Sequence, residues 1–288
     1  MSEVTVRTPA KINLSLDVTG RLPNGYHIVE MIMQSVGLYD DVRVVKREEG
    51  LSLSCSSRDI PTDSGNIAWK AAEVFFSAIQ EKGGAHIDIT KRIPVAAGLA
   101  GGSSNAAGVL IALNRLYGQP LSLFKLTALS KSLGADVAFC FKGGTQLARG
   151  IGDQLMVLPG FRDVNVVLVK PDFSVSTPWV YKNLKWDSVS DKPHTSALIN
   201  QLEEFDVHSL AEGMRNVLES VTVKAYPELA DIMVQFKRLG ALGSRMSGSG
   251  PTVFGIFNDE SSAFQAAENF KKRYNKVFHV KTINQGVE

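Results

Sequence analysis

The stretch Pro94-Val95-Ala96-Ala97-Gly98-Leu99-Ala100-Gly101-Gly102-Ser103-Ser104-Asn105-Ala106-Ala107 constrains the chain more than any other. Before it, His86-Ile87-Asp88-Ile89-Thr90 alternates polar and apolar residues, the pattern of a half-buried strand. After it, Ala106, Leu110, Leu113 and Tyr117 recur at steps of four, three and four, the pattern of a helix. The small residues therefore open a helix behind a strand. The first N–H groups of a helix lack intrahelical partners and sit at the positive end of its dipole, and glycines let an anion approach them closely. Ser103, Ser104 and Asn105 add side-chain donors or acceptors at the same end. No Gly-Lys-Ser/Thr follows, and Gly-x-Gly-x-x-Gly does not fit, which excludes two familiar nucleotide motifs. Two readings stand on the pattern alone: a phosphate site, or an ordinary strand-to-helix loop with Ser or Asn as N-cap.

With 288 residues the chain exceeds what one core usually serves, so two domains are expected. Its 44% hydrophobic and 21% charged residues are those of a soluble globular protein, and a net charge of +2 gives no case for nucleic acid or a membrane surface as partner. Cys55 and Cys140 lie far apart in apolar surroundings and read as reduced thiols, which points to the cytoplasm. The start Met1-Ser2-Glu3-Val4-Thr5 lacks a basic region followed by an apolar one, and no apolar run reaches membrane-spanning length. Histidines at 27, 86, 194, 208 and 279 are scattered, so zinc has little support and metal ligands stay unassigned.

Val4-Thr5-Val6 begins a strand that Pro9 is expected to interrupt. From Lys11 to Val18 the alternation is strict: Ile12, Leu14, Leu16 and Val18 take one face, while Lys11, Asn13, Ser15 and Asp17 take the other. The latter face is either solvated or functional. A turn at Asn24-Gly25 leads to Tyr26-His27, an aromatic and an imidazole able to stack on and hydrogen-bond a flat heterocycle, or simply to pack. Strands at 41–46 and 51–55 follow, then a helix capped by Asp63 or Ser64 with Ala68, Ala72, Phe75 and Ile79 inward, closed by Gly83-Gly84. A further helix, with Leu126, Leu129 and Leu133 inward, stops at Gly134. Asp136 then stands alone among Ala135, Val137, Ala138, Phe139 and Cys140. A desolvated carboxylate rises in pKa or finds a cation, and either suits a general base; Asp136 also has the type and place to cap a helix starting at Val137. Residues 143–149 read as a strand returning to the first sheet.

A second unit starts near residue 160 with the apolar strand Val164–Val169. Thr177-Pro178-Trp179-Val180-Tyr181 opens a helix, residues 188–196 read as a flexible surface loop, and two helical stretches occupy about 197–219. Helix 227–239, strand 241–246, the turn Ser247-Gly248-Ser249-Gly250, strand 252–257, helix 261–273 and strand 277–283 complete the chain. Without the extra helices this is the split βαβ, or ferredoxin-like, order.

Three motifs in order, Pro9-Ala10-Lys11-Ile12-Asn13-Leu14, the glycine loop, and Arg245-Met246-Ser247-Gly248-Ser249-Gly250-Pro251-Thr252, resemble those of the GHMP small-molecule kinases. Asn24-Gly25-Tyr26-His27 and Gly134-Ala135-Asp136-Val137-Ala138-Phe139 resemble the branch that phosphorylates a cytidine-diphosphate-linked polyol in isoprenoid synthesis. The resemblance implies an α+β fold. Its first domain, residues 1–158, would be like domain 2 of ribosomal protein S5, its second, residues 159–288, ferredoxin-like, with the active site in the cleft between them. It implies ATP with Mg2+, a cytidyl diphosphate substrate, and a monomer or homodimer. Lys11 and Asp136 would be catalytic, Asp136 as base. Asn66, Ile67 and Lys91 would line the adenosine site, and residues Pro94, Val95, Ala96, Ala97, Gly98, Leu99, Ala100, Gly101, Gly102, Ser103, Ser104 and Asn105 the phosphate site, with Ser104 a phosphate or magnesium contact. Tyr26 and Tyr181 would sandwich the cytosine, His27 would hydrogen-bond it, and Asn13, Thr177 and Asp136 would touch the rest of the substrate. A homoserine or mevalonate kinase shares the glycine loop and the second small-residue turn, and a non-catalytic nucleotide-binding module, or an RNA-binding one, would share the first domain's topology.

Overall fold

The computed structural model describes residues 2–81 and 83–288, and in it the chain forms two sheets with helices packed outside them. Two long strands, β1 (Glu3–Arg21) and β2 (His27–Arg47), run antiparallel along their whole length and anchor the first sheet. Pro9 does not interrupt β1. The residue that cannot donate to the ladder sits at a register shift: between Pro9 and Ala10 the partner strand skips Gly37 and Leu38, and further shifts, with the extra residue on β1, fall between Asn13 and Ser15 and between Val18 and Gly20. The facing of β1 changes at the first two shifts. Val4 and Val6 belong to one apolar core, Ala10, Ile12 and Leu14 to another, and Leu16 and Val18 to the first again. The expectation that Ile12, Leu14, Leu16 and Val18 share a face thus fails at the second bulge, because period-two reading assumes an unbroken ladder.

The remaining elements of this unit are β3 (Gly50–Cys55), α1 (Ile67–Ile79), β4 (Gly84–Thr90), α2 (Gly101–Leu116), α3 (Leu123–Ser130), α4 (Ala135–Lys142), β5 (Thr145–Arg149) and β6 (Gln154–Val157). They set the sheet order β3-β4-β2-β5-β6, with β1 on the other edge of β2. Along the shared edge of β2, β4 takes Asp41–Arg47 and β5 takes Met31–Gln34, leaving a notch at residues 35–40. Asn66, not Asp63 or Ser64, caps α1, its Oδ1 accepting the Ala68 N–H at 2.9 Å. That helix ends on the left-handed Gln80 rather than at Gly83-Gly84.

The second sheet has the order β10-β7-β9-β8, antiparallel throughout. Its strands are β7 (Asn165–Lys170), β8 (Gly243–Met246), β9 (Val253–Phe257) and β10 (Lys276–Lys281). Helices α9 (Glu228–Arg238) and α10 (Glu260–Lys271) complete the split βαβ plan, while α5 (Thr177–Asn183), α6 (Thr195–Glu203), α7 (Val207–Gly213) and α8 (Glu219–Ala225) are inserted after β7. Helices α6 and α7 are the two helical stretches expected over 197–219, and α8 follows them. Residues 188–194 are tied down instead of loose: Lys192 pairs with Asp17 at 3.5 Å and Arg215 with Asp191 at 2.6 Å.

All six residues of β7 are buried, which accounts for its continuous apolar run. Val166 and Leu168, with Phe254 and Ile256 of β9, meet Ile12, Leu14, Ile32 and Val36 in a core between the two sheets. Val167, Val169, Val253 and Phe257 turn the other way, into the core that holds Phe236 of α9 and Phe270 of α10. Residues 283–288 leave the second sheet and return to the first unit, where the Val287 N–H donates to the Cys140 carbonyl at 3.0 Å and the Glu288 N–H to that of Arg7 at 3.0 Å. Leu14 is fully buried between the sheets, so Leu14→Ala is expected to cost about 2–5 kcal/mol of stability in urea unfolding. A loss of only about 0.5 kcal/mol, as at surface positions, would place it outside that core.

Candidate active site

A cavity of about 1020 Å³ opens between the units. That is at the top of the ~300–1,000 Å³ range of small-molecule sites, enough for two substrates side by side. Strand alternation turns Lys11 and Asn13 away from the buried Ile12, and the register shifts on either side aim that polar face into this space. The Lys11 side chain, 6% exposed, donates from Nζ to Asn13 Oδ1 at 2.6 Å and lies 3.6 Å from Asp136 Oδ2. Asp136 stands in the first turn of α4, with Gly134 rather than Asp136 as N-cap, and its side chain is 28% exposed toward the cavity. Among the described residues it is the one carboxylate on the cavity wall, and no group of three or more His, Cys, Asp or Glu is placed to hold a metal ion. Behind it, burial and then the Asp136 charge push the Cys140 thiol up to about 12, which leaves that sulfur an inert packing group.

The glycine loop forms the adjoining wall, where the Leu99 carbonyl accepts the Lys11 N–H at 3.1 Å. Ala96, Gly98 and Ala100 take left-handed backbone at alternate positions, a path of the kind that makes anion-binding concavities. Gly98 is required twice: its φ is +75°, and a Cβ would collide with the Ser247 carbonyl oxygen. Helix α2 begins at Gly101 behind Ala100, with no side-chain cap, so its first N–H groups remain available at the cavity. Neither Ser103, Ser104 nor Asn105 is the N-cap. The Ser104 hydroxyl is buried and donates to the Pro9 carbonyl at 2.8 Å, so it does not line the cavity, contrary to expectation; facing inward from the first turn of α2, it fastens that helix to β1. The other expected residues all line the cavity. Asn66 does so with its side chain engaged, capping α1 and donating to the Pro61 carbonyl at 2.8 Å.

The second small-residue turn reaches the same wall. Ser247 Oγ donates to the Gly98 carbonyl at 2.9 Å and accepts from the Asn13 N–H at 3.3 Å, while Gly248 and Ser249 line the cavity. Ser249 Oγ lies 2.7 Å from Thr177 Oγ1 at the start of α5, and Ser176 caps that helix. One turn of α5 later, the Tyr181 ring packs on His27 with centroids 5.1 Å apart, while Tyr26 stands 62% exposed at the mouth. Burial, with Asp136 as a second cause, raises the Tyr181 hydroxyl above its usual range, so it stays neutral.

Residues missed in the sequence also converge here. Arg21 pairs with His27 in the β1–β2 ladder and, with Ile151, lines the cavity. Asp40 is fully buried beneath the glycine loop, ion-paired with Lys91. Its place in Tyr39-Asp40-Asp41 looks like a charged strand end, and no local pattern marks one of two adjacent aspartates as buried.

A helix end without a side-chain cap, a lysine–carboxylate pair and an aromatic cluster thus share one cavity, the set of groups that a small-molecule phosphotransferase needs. Consistently, the family model described as "GHMP kinases N terminal domain" matches residues 66–144, and "GHMP kinases C terminal" matches residues 198–276. The chain belongs to the GHMP kinase family. It is 48% identical over 283 residues to the 4-diphosphocytidyl-2-C-methyl-D-erythritol kinase of Acetivibrio thermocellus, covering 98% of this chain and 100% of that one. It is 46% identical to the enzyme of that name from Clostridium botulinum, over 95% of this chain and 98% of that one. A crystal structure of 4-(cytidine 5'-diphospho)-2C-methyl-D-erythritol kinase superimposes with a TM-score of 0.83 at 32% identity, covering 97% and 99% of the two chains. A homoserine kinase from Cytophaga hutchinsonii, 20% identical, shares the fold with a TM-score of 0.81, over 100% and 97% of the chains.

Desolvation and then the nearby Arg21 charge lower the His27 pKa from 6.5, so its ring is neutral at pH 7. An NMR titration is expected to place the midpoint below 6.5, and Arg21→Gln to raise it; a midpoint above 6.5 would contradict this environment.

Proposed function

We infer that this protein transfers the γ-phosphoryl group of ATP to the C2 hydroxyl of 4-diphosphocytidyl-2-C-methyl-D-erythritol, a step of the non-mevalonate isoprenoid pathway. One observation carries the assignment of roles: the Lys11–Asp136 pair stands where the glycine-loop wall and the Tyr26-His27-Tyr181 wall of one cavity meet. Near-complete coverage at 48% identity supports the substrate. The walls come from both proposed domains, residues 1–158 and 159–288.

In this reading the α2 N-terminus and the glycine-loop N–H groups hold the phosphates, Asn66 and Ile67 border the adenosine, and Lys91, expected beside them, has its ammonium engaged by Asp40 and Asn105. Tyr26 and Tyr181 flank the cytosine, His27 hydrogen-bonds it, and Asn13 and Thr177 contact the rest. The neutral imidazole keeps one donor and one acceptor nitrogen, which suits a base edge carrying both. Asp136 accepts the proton of the C2 hydroxyl as its oxygen bonds to the γ-phosphorus and the bond to the β,γ-bridging oxygen breaks, releasing ADP. Lys11, fixed by Asn13, holds its positive charge beside that carboxylate and the transferred group, where charge develops. Mg2+ would enter with ATP and neutralise phosphate charge; with Asp136 the one carboxylate on the wall among the described residues, phosphates and water would supply most of its ligands. The two free thiols, one of them buried, fit a reducing, cytoplasmic setting.

The test is ADP release by the purified protein with ATP, Mg2+ and the cytidyl substrate, against homoserine and mevalonate as controls. Release only with the cytidyl compound is expected, and none with any acceptor would refute the kinase reading. Asp136→Asn is expected to lower kcat by about 10²–10⁴-fold while ATP affinity holds. Lost ATP binding instead would assign Asp136 to the nucleotide.

A further inference from the structure

The Asp40 carboxylate is fully buried in the notch of β2 between β4 and β5, and every one of its partners belongs to the glycine-loop region. Oδ1 accepts the Arg92 N–H at 2.7 Å and the Ile93 N–H at 2.8 Å, where the chain leaves β4. Oδ2 accepts from Asn105 Nδ2 at 2.9 Å, in the second turn of α2, and pairs with the Lys91 ammonium. The four acceptor positions of a carboxylate are thereby filled, leaving none for a substrate, metal or proton in transit. Both ends of the loop, 91–93 and 105, are tied to one side chain. The Lys91 side chain is 5% exposed and spends a second N–H on Asn105 Oδ1 at 3.3 Å. Its nitrogen would stand 2.9 Å from a Cβ on Gly101, and so lies against the first turn of α2. An unpaired cation there would oppose the helix dipole, and Asp40 offsets it.

We propose that Asp40 is the positioning residue of the anion-binding loop, and that Lys91 serves as the loop's internal strut rather than as a phosphate ligand. This rests on the reading that ATP binds in this cavity. The two roles of Lys91 separate by charge removal. A strut is needed only while Asp40 is charged, whereas a ligand is needed always. Breaking one partner of a buried ion pair is costly, while removing both charges together is often nearly neutral.

The test is calorimetric titration of the full chain with ATP and, separately, with the cytidyl substrate, for wild type, Asp40→Asn, Lys91→Met and the double variant, with melting curves to confirm folding. Asp40→Asn is expected to weaken ATP binding about tenfold, and the double variant to return to within about threefold of wild type, with cytidyl affinity unchanged throughout. Wild-type ATP affinity in Asp40→Asn would overturn the proposal. So would an ATP-specific loss of about tenfold or more in the double variant, which would make Lys91 a direct ligand. Should Asp40→Asn not fold, the double variant decides alone: ATP affinity within about threefold of wild type upholds the proposal, and any larger ATP-specific loss overturns it. A wild-type protein that binds no ATP would remove the functional reading instead.

Discussion

The two register shifts of the β1–β2 ladder that flank Ala10–Asn13 are the constraint on which the site depends. A strand of 19 residues paired along its length would otherwise keep Lys11 and Asn13 on the same side as Ser15 and Asp17, and Ile12 on that of Leu16. The shifts let the segment between Pro9 and Ser15 face the second sheet with its apolar residues while its two polar side chains turn into the cavity. Burial of Ile12 and Leu14 between sheets thus fixes the Lys11 ammonium beside Asp136. Packing free energy and the geometry of the cavity wall are carried by alternate residues of the same few positions.

The glycine loop is held by contacts on three sides. Ser104 ties α2 to Pro9 at the first bulge, Ser247 ties Gly98 to Asn13, and Asp40 ties the loop's entry to Asn105. A loop with left-handed alanines at 96 and 100 stores some strain, of order 1–3 kcal/mol per residue at most, and such a path persists only where its surroundings over-determine it. The second unit is therefore part of the site's frame: its turn at 247–250 braces the loop, and its helix α5 supplies Thr177 and Tyr181.

Most elements were legible in the sequence because periodicity and turn residues are local: the helix after the glycine loop, the helix at 177, the split βαβ order, and the two small-residue turns. The misreadings share one physical origin, since each needed a partner distant in sequence. Pro9 reads as a break until β2 is present to shape a bulge around it. Residues 188–196 read as loose because Asp17, the partner of Lys192, lies 175 positions upstream. Ser104 reads as a ligand contact because its hydroxyl type fits, yet its direction is set by the Pro9 carbonyl. Asp40 shows nothing locally, and its burial follows from the splaying of β4 and β5. For the site residues as a set, the family resemblance supplied roles that residue pattern alone left open.

The central claim is that one cavity aligns a phosphate-binding helix end with a base-binding aromatic cluster across the Lys11–Asp136 pair. A crystal structure with a non-hydrolysable ATP analogue and the cytidyl substrate measures this directly. The account requires the γ-phosphate at the N-terminus of α2, the cytosine between Tyr26 and Tyr181, and the acceptor hydroxyl within hydrogen-bonding reach of Asp136. An acceptor hydroxyl remote from Asp136, or a nucleotide phosphate seated away from the glycine loop, would contradict it.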